Sequence, residues 1–182
     1  MSEAREQLIQ FIRDEAVFHG DFTLTSGAKA SYYIDLRKVS LDHRVAPLIG
    51  QVMTDLIVDV PDVAAVGGLT MGADPIASAV LHQAAARGLS YDAFVVRKAP
   101  KDHGRGKQVE GPDLEGKRVI VLEDTSTTGG SPLTAARALE AVGATVVAVA
   151  VVVDRATGAQ GIIEDAGYEY RAAIGLADLG LA

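Results

Sequence analysis

"VIVLEDTSTTGGSP", residues Val119 to Pro132, sets four apolar residues before two acids and follows them with seven small residues, Thr125 to Ser131. The apolar run reads as a strand covered on both faces, and the closing Ser-Pro as the start of a helix. Three further runs share the first pattern: "AAVGG" (Ala64 to Gly68), "AFVVR" (Ala93 to Arg97) and "TVVAVAVVV" (Thr145 to Val153). Between them, "DPIASAVLHQAAARG" and "SPLTAARALEAVGA" carry apolar residues at helical spacing and run out at Gly88 and Gly143. The alternation predicts an α/β fold with a central, mostly parallel sheet flanked by helices. The first 60 residues differ, with a predicted helix from about Glu3 to Val17, an extended stretch "SYYIDLR" (Ser31 to Arg37) and a second helix near His43 to Val60.

With 182 residues, 48% of them hydrophobic, the chain can build one sizeable core, so a single domain over residues 1–182 is expected, with a small N-terminal annex. There is no cysteine, which removes disulfides, thiolate metal sites and thiol nucleophiles. The N-terminus is charged and amphipathic, and no stretch approaches 18 uninterrupted apolar residues, so the expected location is the cytoplasm. A net charge of −7 argues against a general nucleic-acid or membrane binder. The local exception is "RKAPKDHGRGK", Arg97 to Lys107, which gathers five of the 17 basic residues. Its proline and glycines predict a mobile loop that continues to about Gly116.

In an open parallel sheet, ligands bind beyond the carboxyl ends of the strands. Three segments fall there: "GGLTMGADP" after the Ala64 strand, the basic island after the Ala93 strand, and the opening stretch itself. From Thr125 to Ser131 the short side chains leave backbone N–H groups free to wrap an anion, and the following helix adds the positive end of its dipole. Glu123 and Asp124 would repel a phosphate unless they met neutral hydroxyls of the same ligand. A ribose 5-phosphate offers both parts. No G-x-x-x-x-G-K-[ST] string occurs, and no dinucleotide fingerprint follows a first strand. His19, His43 and His82 have no partner at metal-ligand spacing.

"VIVLEDTSTTGGS" resembles the phosphoribosyl-diphosphate signature of the type I phosphoribosyltransferases. "FTLTSGAKASYYIDLR" (Phe22 to Arg37), "RKAPKDHGRG" (Arg97 to Gly106) and "VVDRATG" (Val152 to Gly158) are similar, in order and spacing, to segments of the orotate phosphoribosyltransferases, so the resemblance spans roughly residues 18 to 158. It implies the type I fold with a small N-terminal hood, from about residues 1–40, over the base site. It also implies a Mg²⁺-dependent homodimer with shared active sites, using orotate and 5-phosphoribosyl 1-diphosphate. Carried over, Glu123 and Asp124 hold the ribose hydroxyls. Thr125, Ser126, Thr127, Thr128, Gly129, Gly130 and Ser131 hold the 5-phosphate, with Thr127 also near orotate. Arg97, Lys98, Lys101 and His103 contact the diphosphate, and Lys101, His103 and Asp124 are the expected catalytic residues. Arg155 pairs with the orotate carboxylate, while Tyr32, Tyr33 and Ile34 line the base pocket. No dedicated metal cage is expected, Mg²⁺ being held mainly by substrate and water. The chain departs from the family at Thr25 and at Thr70 to Ala73, where many members carry lysines. Two alternatives share the fold: a phosphoribosyltransferase for another base, and a phosphoribosyl-diphosphate sensor that binds nucleic acid. The acidic chain, with no added helix-turn-helix, argues against the second.

Overall fold

A computed structural model describes residues 2–23, 29–99 and 107–181 of the chain. The expected contributions of Lys101 and His103, and the departure at Thr25, lie outside the described residues. Helix α1 (Glu3–Phe11) begins at Ser2, whose hydroxyl accepts the Arg5 N–H at 3.4 Å, and continues as a π-helical turn over Ile12–Ala16. Ala4, Leu8, Ile12 and Ala16, each four residues on from the last, form a stripe that packs into the main core. Strands β1 (Val17–Thr23) and β2 (Lys29–Ile34) pair antiparallel as a separate two-stranded ribbon. Helices α2 (Arg37–Ser40) and α3 (Ala46–Ile57) follow. Arg37, expected at the end of an extended stretch, instead opens α2.

The main sheet is built from β3 (Val63–Leu69), β4 (Asp92–Val96), β5 (Val109–Glu110), β6 (Arg118–Ser126), β7 (Thr145–Asp154) and β8 (Glu169–Gly175). Its order is β5-β4-β3-β6-β7-β8, parallel throughout except for β5 at one edge. Helices α4 (Ala73–Ala86), α5 (Gly130–Glu140) and α6 (Ala159–Asp165) connect successive strands, and α7 (Leu176–Leu179) closes the chain. The predicted parallel α/β architecture is present. One apolar cluster joins α1, α3 and α4 to one face of the sheet, and a second joins α5 and α6 to the other. That double covering explains why β6 and β7 are apolar on both sides. Among the described residues no helix is long and apolar enough to cross a membrane.

Two departures bear on function. The stretch after the basic island is not loop throughout, since Val109 and Glu110 pair with Val96 and Val95. More important, β6 runs four residues beyond its apolar core, carrying Glu123, Asp124, Thr125 and Ser126 as strand residues paired along β7.

The closeness of β3 to its neighbours depends on Gly67 and Gly68. A Cβ on Gly67 would lie 2.0 Å from the Phe94 carbonyl oxygen, and one on Gly68 would lie 2.1 Å from that of Leu122 and 2.8 Å from the Ala73 Cβ. Neither contact can relax by turning a side chain, because each oxygen belongs to a neighbouring strand. Gly68→Ala is therefore expected to lower unfolding free energy by about 2 kcal/mol or more, at an unchanged denaturant slope. Urea unfolding that leaves the variant within about 0.5 kcal/mol of the parent would contradict this packing.

Candidate active site

The carboxyl ends of β3, β4 and β6 open on a cleft of about 300 Å³. Tyr33, Ile34, Asp35 and Arg37 line one side, Leu69, Thr70, Met71 and Gly72 another, with Lys98, Glu123, Asp124, Thr125 and Ser131 completing the wall. A larger cavity, about 430 Å³, lies along Lys107 to Leu114 and Val142, and it takes none of the strand-end residues.

The strand extension places Glu123 deep in the wall, at 7% exposure. Its Oε1 accepts the Asp124 N–H at 3.3 Å, while Oε2 is buried without a partner. Burial, then a side-chain hydrogen bond shared with the Asp124 carboxyl, then the Asp124 charge push the Glu123 carboxyl up to about 9, against the smaller lowering effect of the Asp124 N–H. At neutral pH it is a carboxylic acid, able to donate as well as accept. Asp124 is more open, and its Oδ1 accepts the Thr125 N–H at 2.7 Å. Gly72 lies against it: a Cβ there would sit 2.8 Å from the Asp124 Cγ. The Thr70 hydroxyl donates to Asp74 Oδ2 at 2.7 Å and so ties the loop after β3 to the start of α4. The Thr70–Met71 peptide within that loop is cis.

The anion-binding stretch is shorter than its composition implies. Thr125 and Ser126 are paired with Val153 and Asp154 of β7, so the open turn is Thr127, Thr128 and Gly129, leading directly into α5 at Gly130. Gly129 caps that helix at φ 72°, a left-handed conformation that favours glycine. Ser126, expected in the phosphate set, is held within the sheet by its side chain. It is 1% exposed and its hydroxyl is taken up: Tyr170 Oη donates to Ser126 Oγ at 2.8 Å, and Ser126 Oγ donates to Asp154 Oδ1 at 2.8 Å. Burial pushes the Tyr170 hydroxyl up to about 12, so the phenol keeps its proton. The same Asp154 oxygen accepts the Ala156 N–H at 3.0 Å, and the Thr157 hydroxyl donates to the Thr127 carbonyl. These bonds join the turn after β7 to the turn after β6.

Arg155 projects from the turn after β7, its Cζ 5.7 Å from the Tyr32 ring centroid. Its Nε is buried without a partner. Tyr32 and Arg155 thus meet beside the cleft, while Tyr33 and Ile34 face into it. Arg97 is exposed and joined to Gln108 at both its backbone N–H (2.8 Å) and its carbonyl (3.1 Å), and only its neighbour Lys98 lines the cleft. Sequence reasoning passed over Asp35, Arg37 and Gly72 as site residues. The first two end the quoted "SYYIDLR" segment, and that position beside the tyrosines is the one signal they gave.

An acid pair at a strand end, one member buried and one open, followed by a glycine turn on a helix N-terminus, is the arrangement of a phosphoribosyl-binding α/β protein, and residues 44–168 match the phosphoribosyl transferase domain. The chain is 62% identical to an orotate phosphoribosyltransferase of Tropheryma whipplei over 96% of its own length and 82% of the relative's. It is 58% identical to one of Streptomyces coelicolor over the whole of both chains. The crystal structure of the Mycobacterium tuberculosis enzyme in complex with 5-phospho-α-D-ribosyl 1-diphosphate superposes with a TM-score of 0.84 at 49% identity, covering 98% of this chain and 99% of that one. The chain belongs to the orotate phosphoribosyltransferase family.

The state of Glu123 is open to a stability test. Its folded value, about 9, stands above its ordinary 4.5, so between the two the native state holds a proton that the unfolded chain has lost. Parental stability then falls as pH rises through that window, by at most about 1.4 kcal/mol per pH unit from this group. Glu123→Gln has no such proton. Its stability relative to the parent should rise steadily in chemical denaturation at pH 5, 7 and 8.5, and a constant difference would show that Glu123 is ionised in the native state.

Proposed function

We propose that the cleft transfers the 5-phosphoribosyl group from 5-phosphoribosyl 1-diphosphate to N1 of orotate. The products are orotidine 5′-monophosphate and diphosphate, in de novo pyrimidine (UMP) synthesis. The observation that carries the choice of base is Arg155, whose buried Nε has no partner and whose guanidinium lies over Tyr32. A planar base bearing a carboxylate supplies the missing acceptor and a face for the tyrosine.

Each group has a chemical task. The N–H groups from Thr127 to Gly130, with the α5 N-terminus, receive the 5-phosphate. Neutral Glu123 donates to one ribose hydroxyl and Asp124 accepts from the other, so the acid pair holds the sugar without repelling its phosphates. Tyr33 and Ile34 flank the base. Bond breaking leaves positive charge on the ribosyl ring and negative charge on the departing diphosphate, so catalysis consists of neutralising that diphosphate, excluding water and aligning N1 with the anomeric carbon. Lys98 faces the diphosphate from the described side of the basic segment, and Lys101 and His103 are assigned to the same anion by the family resemblance.

Mg²⁺ fits this site as a substrate-held ion. Among the described residues no group of three or more His, Asp or Glu comes together, and Glu123 and Asp124 are the acids at the inner wall. Such an ion would neutralise diphosphate charge, with Asp124 at the cleft wall available as a protein oxygen ligand. The same reading takes the protein as a cytoplasmic homodimer whose basic segment serves the neighbouring site.

Orotate consumption, followed by its ultraviolet absorbance, tests the base. The parent is expected to prefer orotate over uracil by a factor on the order of 10⁴ in kcat/KM, because uracil leaves the guanidinium unpaired. Arg155→Ala should lose orotate turnover while still binding phosphoribosyl diphosphate. Comparable use of uracil, adenine or hypoxanthine by the parent would remove orotate from the reading.

Site sharing is tested by mixing Lys101→Ala protein with a Glu123→Ala/Asp124→Ala double variant. Each homodimer should be nearly inactive. After random exchange about half the dimers are mixed, each with one intact composite site, so roughly a quarter of normal activity should return. If mass spectrometry confirms exchange and no activity returns, the basic segment serves its own subunit.

A further inference from the structure

Arg37 opens α2 just beyond the hood strand β2 and lines the cleft opposite Lys98 and Asp124. Its Nε donates to Asp35 Oδ1 at 2.8 Å, and its backbone N–H donates to the same oxygen at 3.2 Å. Both Nη groups are without a protein partner among the described residues. Asp35 therefore holds the guanidinium by its inner nitrogen and leaves the outer fork free. That fork can donate two parallel hydrogen bonds to an oxyanion. The Asp35 bond pushes Arg37 further up and holds Asp35 below the usual carboxylate range, so both groups are charged throughout the working pH range.

An exposed Asp–Arg pair two residues apart is by itself only a local turn contact. Two observations set this one apart. The side chain is 46% exposed, yet it lines the same cleft as Asp124 and Gly72. Charge makes the second case. Among the described residues lining the cleft, the cations are Lys98 and Arg37 alone, facing Asp35, Asp124 and the neutral Glu123. A diphosphate brought beside Asp124 carries several negative charges, and the Arg37 fork adds a fixed cation on the described wall to Lys98 and to the Lys101, His103 and Mg²⁺ assigned above.

We propose that Arg37 is a substrate-binding residue for the diphosphate of phosphoribosyl diphosphate, its free fork donating to two diphosphate oxygens, with Asp35 as the positioning residue that fixes the guanidinium. The assignment rests on the reading of the cleft given above. It names Arg37 as a source of positive charge for a loop after β3 that, from Thr70 to Ala73, contains no basic residue.

The test uses the full chain with inorganic diphosphate and Mg²⁺ as a binding probe by calorimetry, together with steady-state kinetics. Arg37→Ala is expected to raise the Kd for diphosphate and the KM for phosphoribosyl diphosphate by about tenfold or more each. The KM for orotate, at saturating phosphoribosyl diphosphate, should stay within about twofold of the parent's. Arg37→Lys should recover part of the loss, and Asp35→Asn should shift the same two constants by less. Thermal melting checks that each variant is folded, with Arg37→Gln as the second variant if the alanine form is not. Unchanged diphosphate and phosphoribosyl-diphosphate constants in a folded variant would overturn the assignment, as would a loss confined to orotate. If the parent fails to use orotate while Arg37→Ala still weakens diphosphate binding, the choice of base is wrong and the role of Arg37 stands.

Discussion

A carboxyl group buried at the end of a central strand must be either paired or neutral, and the site is organised around how Glu123 meets that demand. Among the described residues no cation pairs with it, and its neighbours are the Asp124 N–H on Oε1 and the Asp124 side chain. It therefore keeps its proton, while Asp124 is the more open member of the pair at the cleft. Had the chain turned away after Leu122, both acids would have been solvated and alike. Because β6 instead runs on to Ser126, alternation turns Glu123 inward and brings Asp124 out beneath Gly72. Two carboxyl groups adjacent in sequence thereby acquire different surroundings, one buried and one open to the cleft.

The same extension fixes the anion turn. Pairing of Thr125 and Ser126 with Val153 and Asp154 commits their backbone to the sheet and concentrates the free N–H groups at the first turn of α5. Ser126 then ties the sheet laterally, since its hydroxyl stands between Tyr170 on β8 and Asp154 on β7. Asp154 in turn holds the Ala156 N–H, one residue beyond Arg155. The chain of bonds runs from the edge strand to Ala156, next to Arg155. The Ser126 hydroxyl thus links β7 and β8.

Strands β3, β4, β6 and β7 and helices α4 and α5 were legible because burial on both faces demands unbroken apolar runs, and such runs survive in the sequence whatever their partners. Strands β1, "VFHGDFT", and β8, "EYRAAIG", were not, because a ribbon strand and an edge strand keep one side near water and mix polar with apolar residues. The strand character of Glu123 to Ser126 was hidden for a different reason. Asp and, to a lesser degree, Glu are depleted in strands, and the long partner β7 supplies the ladder that holds the segment extended. Glu123 and Asp124 could be named as site residues from their place before a glycine turn. Their unequal burial could not, because it depends on where the loop after β3 lies.

Arg37 and Lys98 show how a chain of net charge −7 accommodates a polyanionic substrate. Long-range attraction is not available to it, since the summed field of an acidic surface opposes an anion and is screened beyond about 10 Å at ordinary ionic strength. Recognition must come from groups in contact. A neutral Glu123 lowers the negative charge that the incoming phosphates meet, the α5 N-terminus offers N–H dipoles, and a guanidinium already oriented by Asp35 loses little side-chain freedom on binding. Each device works within a few ångströms. The same locality favours diphosphate as the leaving group, because cations fixed at the cleft wall interact most strongly with the charge that concentrates there as the glycosidic bond opens.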